Sequence, residues 1–404
     1  MARTVSISIA VVCAAFLGVP AAQAPQAPTF EVDPFWPKPL GNHWLFGSIT
    51  GVAVDARNHL WVVHRGAASL NARTEIGLAA SPATAETCCL PAPYVLQFDS
   101  VGKVVSHWGG PGPGYDWPQS PGGITVDAKG NVWIAAAGAD PAPGGRGRGA
   151  PSTGLGSGTE TAPPTDAHVL KFASDGRFLL QIGKPGKVEG SDGTSGLHRP
   201  TAVDLDAAAG EVYVADGIVN RRVVVFDAES GAYKRHWGAY GSKPDDADIG
   251  PYDPAAPAAK QFRVPSCVKL SKDGLVYVCD RRNDRIQVFR KDGTFVKEAF
   301  IAKATRGEGS AWSVAFSADP QQRFLYVADG SNQKIWIVDR QTLATVSSVG
   351  AGGRGPGQFY GVGSVAVDGS GNLFTGETYE GKRLQKFNFK GMGRPTPPAS
   401  KEPR

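Results

Sequence analysis

TAVDLDAAAGEVYVADGIVNRRVVVFDAESGAYKRHWG, residues 201–238, holds four β-branched, apolar segments separated by turns rich in Gly, Ala, Asn and Ser. That pattern predicts a four-stranded antiparallel meander. The block recurs. Its first strand reads TGVAVD at 50–55, GGITVD at 122–127, SCVKLS at 266–271, WSVAFS at 312–317 and GSVAVD at 363–368. Second strands follow as WVVHR at 61–65, VWIAA at 132–136, VYVCD at 276–280, LYVAD at 325–329 and LFTGE at 373–377, and each is followed by a third. A fourth strand closes five copies, the last being TVSSVG at 345–350, and the sixth copy runs out. FEVDPFW at 30–36 stands where the missing strand would, so the two ends of the chain can pair and close a ring without an open edge. The expected fold is all-β: a six-bladed β-propeller of four-stranded antiparallel blades, spanning 25–390, with blades starting near 50, 122, 201, 266, 312 and 363 and a Pro-rich disordered tail at 391–404.

Composition agrees. Of 404 residues 41% are hydrophobic and 20% charged, with 52 Gly and 31 Pro, which suits a turn-rich globular chain and excludes a collagen-like or coiled-coil one. The net charge of +5 has no long single-sign run, which argues against nucleic acid as a partner. The extra chain of the longer units lies at 66–93 and 137–167, between second and third strands, and at 184–200 and 239–265, between units. Those two kinds of loop emerge on one face of a propeller, so that face is expected to bind a ligand, peptide or partner protein. A monomer is expected by analogy with other propellers.

Arg3, the apolar run 7–19 and Ala22-Gln23-Ala24 read as a signal peptide over 1–24, cut near Ala24, making the protein secreted or periplasmic. No run of about 20 apolar residues predicts a membrane span. Cys88, Cys89, Cys267 and Cys279 remain as disulfide candidates. The first two could pair as neighbours, and the last two could face each other across a hairpin or stay as buried thiols.

At the channel mouth two rings of residues are expected. The first is Thr50, Gly122, Thr201, Ser266, Trp312 and Gly363, at the starts of the first strands. The second is Arg65, Ala136, Asp216, Asp280, Asp329 and Glu377, at the ends of the second strands, with His64 before Arg65 and Arg281 after Asp280. His64, Arg65, Asp216, Asp280, Arg281, Asp329 and Glu377 are the ligand-binding candidates. The acids could bind a channel cation such as calcium, or satisfy the backbone of the turns they precede.

The VYVAD…NxR[IV]xVF rhythm resembles NHL repeats of the TolB-like propeller group. GVAVD followed by His64-Arg65, QFRVP at 261–265 and CDRRNDRIQVF at 279–289 resemble the catalytic core of the peptidyl-α-hydroxyglycine α-amidating lyases. The resemblance implies a lyase acting at the channel, and its two catalytic arginines fall on Arg65 and Arg281. The family's three zinc histidines fall on Gly122, Ser266 and Gly363, none of which can ligate zinc, and its catalytic tyrosine on Ile218. No metal ligand is therefore expected. A binding propeller without zinc-lyase activity is favoured over a lyase-like or lactonase/esterase-like enzyme using Arg65 and Arg281.

Overall fold

The computed structural model describes residues 26–138 and 165–395. Six four-stranded antiparallel sheets follow one another along the chain. Their inner strands are Ile49–Val54, Pro121–Val126, Pro200–Asp206, Pro265–Leu270, Ser313–Phe316 and Val362–Val367. Each touches the next and the last touches the first, which closes the ring. The sixth blade takes its outer strand from the other end of the chain: Ala27–Asp33 pairs antiparallel with Leu384–Gly393. Asp33 then accepts the Phe35 N–H and turns the chain away, so this strand starts and stops three residues earlier than the expected 30–36. The last strand runs to Gly393, into the stretch expected as a tail. The signal peptide, the Gly/Arg-rich stretch 144–158 and the rest of the tail lie outside the described residues.

Burial explains the sequence pattern of each blade. Second strands such as Leu60–His64 and Val132–Ala136 have a blade neighbour on both faces and are buried throughout, whereas the outer strand Val104–Trp108 alternates. The core therefore lies between blades: Tyr277, Val288 and Ile286 of the fourth pack on Val314, Leu325 and Val327 of the fifth. Phe30 carries the N-terminal strand into the next interface, edge to face with Tyr326 at 5.5 Å. In the first, second and sixth blades the tight turn after the inner strand is built by one carboxylate. Asp55 accepts N–H groups from Arg57 and His59, Asp127 from Lys129 and Asn131, and Asp368 from Ser370 and Asn372.

Both cysteine pairs are disulfides. Cys267 and Cys279 are register partners on adjacent strands, with Cα atoms 4.9 Å apart, and Cys88 is bonded to Cys89. Among the described residues no helix is long and apolar enough to cross a membrane.

Candidate functional site

At the face that carries the insertions, the channel opens into a cavity of about 330 Å³. All six residues of the first ring, Thr50, Gly122, Thr201, Ser266, Trp312 and Gly363, line it. Two of them also stitch the blades together. Thr201 donates its hydroxyl to Pro265 O at 2.8 Å, and Ser266 donates to Trp312 O at 2.9 Å.

The second ring needs correcting. Ile49 pairs with His64, as Pro265 pairs with Asp280 and Pro200 with Asp216, so His64 is the first blade's counterpart of the acids and Arg65 the counterpart of Arg281. Residues in the acid position do not face the channel. They are fully buried, and four of them hold the loop that enters their own blade. Asp280 accepts the Arg263 N–H at 2.8 Å and is paired with Arg285 at 2.9 Å; Asp216 accepts the His198 N–H at 2.8 Å and is paired with Arg222 at 2.9 Å. Glu377 accepts the Tyr360 N–H and pairs with Arg383, while Asp329 accepts the N–H groups of Ser331 and Asn332 and the Trp336 ring N–H. His64 does the same work with nitrogen. Its Nδ1 accepts the N–H groups of Gly47 and Gly66, each at 3.0 Å, and Nε2 donates to Pro93 O at 2.8 Å. Burial pulls its pKa down to about 4, so it stays neutral, as this bonding requires. The second blade, with Ala136 in the position, borrows Asp166, which accepts the N–H groups of Gln119 and Ser120. Asp216, Asp280, Glu377 and His64 are thus blade-entry anchors, Asp329 holds the turn that follows its own strand, and none of the five lines the cavity. The described residues contain no group of three or more His, Cys, Asp or Glu placed to hold a metal ion.

What faces the cavity is strongly cationic. Among the described residues, Arg65, Arg199, Arg281 and Arg282 line it with a single carboxylate, Glu308. Arg281 lies over the Trp312 ring at 4.4 Å and pairs with Glu308. Arg199 donates Nε to Ala137 O and Gly138 O, at 3.0 and 2.8 Å. Arg65 has no hydrogen-bond partner for its buried Nε, nor has Arg281 for its own. Burial, together with repulsion from Arg199 and Arg281, pulls the Arg65 pKa below the ordinary arginine value, while the nearby Tyr379 phenol opposes this. Tyr379 lines the cavity edge to face with Trp312, ring centres 6.1 Å apart. Sequence reading missed Arg199, Arg282, Glu308 and Tyr379. The signal for Tyr379 was ETYEGKR at 377–383, where the third and fifth blades have Gly after the acid.

The loop that carries Glu308 is clamped at its base by Asp284, which is fully buried and accepts the Ser310 N–H on one oxygen while the other has no partner. Burial raises its pKa from 3.8 to about 7, with Asp329 adding repulsion. In the unfolded chain the group ionises near the ordinary value. Stability from this site is therefore full below about pH 4 and falls as the pH rises towards 7. Replacing Asp284 with Asn removes that fall. Between pH 5 and pH 8 the wild type is expected to lose about 2 to 3 kcal/mol relative to Asp284→Asn, read from urea midpoints; parallel midpoints across this range would refute it.

The three positions where the resemblance puts zinc histidines carry no metal-binding side chain suited to zinc and have little room for one. Gly122, Ser266 and Gly363 all line the cavity, but a Cβ on Gly122 would lie 2.9 Å from Thr201 O, and Ser266 is committed to the next blade. One at Gly363 would meet Thr378 at 3.3 Å.

An NHL repeat model matches residues 262–289, which take in the first, second and most of the third strand of the fourth blade. Peptidyl-glycine alpha-amidating monooxygenase A of Xenopus laevis is 27% identical over 279 residues, covering 66% of this chain and 24% of that protein. The chain therefore spans about a quarter of the length of the amidating monooxygenases it matches. NHL repeat-containing protein 3 of Mus musculus is 26% identical over 329 residues, 79% of this chain and 69% of that one. A solved streptogramin B lyase superposes with a TM-score of 0.48 at 11% identity, over 89% of this chain and 98% of that one. The chain is a six-bladed β-propeller carrying an NHL repeat, homologous over two thirds of its length to the peptidyl-glycine α-amidating monooxygenases.

Proposed function

We propose that this propeller binds a small carboxylate-bearing molecule, or the carboxylate end of a peptide, at its channel mouth, with Arg65 and Arg281 taking the anion. The observation that carries the reading is Arg65, a guanidinium sunk in the cavity wall with an unpartnered Nε and other arginines for neighbours. An arriving carboxylate would relieve the repulsion and supply the missing acceptor. Trp312 and Tyr379 offer ring faces for the part of the ligand next to the carboxylate. The two disulfides are compatible with a protein that works outside the cytoplasm, and we place it in the secreted or periplasmic space.

Hippurate, an aromatic acylated glycine with a free carboxylate, tests this against its neutral amide, hippuramide. Calorimetry at low salt is expected to show the acid binding at least tenfold tighter than the amide, since charge-assisted hydrogen bonds contribute about 1.5 to 3 kcal/mol. Equal affinities, or no binding of either, would remove the reading. The anion pair needs no metal, so chelation should leave the affinity unchanged.

The Tyr379 phenol beside Arg281 supports a second reading, a lyase-like or lactonase-like enzyme working at the same mouth. Turnover of a peptidyl-α-hydroxyglycine substrate, with or without added zinc, would put that reading in place of simple binding.

A further inference from the structure

Among the described residues Glu308 is the one carboxylate in the cavity lining, and it sits on arginine. One oxygen accepts from Arg281 and the other from Arg282 Nη2, the latter at 2.8 Å. Among the described residues no backbone group holds it. The loop that carries it is shaped for this contact. Gly307 and Gly309 on either side both have positive φ, 71° and 75°, and a Cβ at Gly309 would overlap the Arg281 carbonyl oxygen, 1.9 Å away. Glycine at this position is what lets the loop lie directly on the strand end that carries Arg281. The loop base is fixed by Ser310 on Asp284, and by Gly309 O, which accepts from the Trp312 ring N–H and the Ser331 hydroxyl. The rest of the loop is exposed at residues 302–304 and 306–307, and the Glu308 side chain is 42% exposed. It can leave without unfolding anything.

We infer that Glu308 is a built-in competitor, an internal carboxylate holding the anion position at Arg281 that a ligand carboxylate must displace. This rests on the anion reading of the mouth and deepens it. Glu308 sets both the affinity and the class of ligand, because a group that replaces it must offer the same charge and the same two acceptor oxygens. Empty, the site keeps Arg281 neutralised. Occupied, it trades an internal pair for an external one, so the net gain is small unless the rest of the ligand also makes contact.

Glu308→Gln keeps the size and removes the charge. Hippurate is expected to bind this variant about tenfold tighter than the wild type, while hippuramide binds both equally. If hippurate binds wild type and variant with equal affinity, or the variant more weakly, Glu308 is no competitor and the inference falls, with the anion site left standing. If hippurate binds neither protein, the anion reading itself falls and takes the inference with it.

Discussion

Arg285→Ala is expected to destabilise the protein by about 3 to 5 kcal/mol, the range for leaving one partner of a buried ion pair uncompensated. Arg285 and Asp280 are both fully buried, 2.9 Å apart. The same guanidinium donates to the Tyr240 hydroxyl at 2.8 Å and to Gln261 O at 3.1 Å, so it ties the third strand of the fourth blade to the 239–265 insertion. Its loss strands the Asp280 charge in the blade and frees the insertion that borders the mouth. A fall in Tm of about 5 to 10 °C should follow, and Asp280→Asn in the Arg285→Ala background should restore part of it by removing the stranded charge. A single variant melting within 2 °C of the wild type would show that the pair is dispensable.

Arg65→Ala combined with Arg281→Ala should do the opposite: leave the melt nearly where it was and abolish binding. Neither arginine pairs with a blade-entry acid. Arg281 has Glu308 and the Trp312 face, and its Nε, like that of Arg65, has no partner. Removing both loses one cation–π contact and a half-exposed ion pair, about 1 to 2 kcal/mol, and relieves repulsion with Arg199. Two charge-assisted contacts to a carboxylate should together contribute about 3 to 6 kcal/mol, so hippurate affinity is expected to drop by at least 100-fold. A large loss of stability with unchanged binding would reassign both residues to structure. Arg281 and Arg285 lie in one turn, four residues apart, and the two experiments should separate them cleanly.

The fold was legible because its determinants are local and repeated. VYVCD and VYVAD are continuous apolar runs since both faces of a second strand meet a blade, and D-x-x-G-N turns follow from one aspartate accepting two nearby N–H groups. The count of strands then required the two ends to pair. The disulfide between Cys267 and Cys279 could be read as a possibility from their places on one hairpin, but the strand register made it a contact.

The channel mouth was only half legible. The first ring was right in all six blades, because the starts of inner strands are marked by the repeat itself. The second ring was misaligned by one residue in the first blade, and in a strand one residue is a change of face. Taking Arg65 as the counterpart of Asp280 merged two sets that the structure keeps apart: His64 and the acids, which anchor loop backbone inside the blades, and Arg65 and Arg281, which line the cavity. Arg199, Glu308 and Tyr379 come from loops of three different blades and share no motif, so a departure from the repeat, as at Tyr379, does not by itself say that the three meet. The sequence by itself determined the blades, their number and the closure of the ring, since strand periodicity and turn chemistry act over a few residues. Only the tertiary structure decided which charges are spent inside the blades and which line the channel mouth, because that depends on strand register and on distances between residues far apart in the chain.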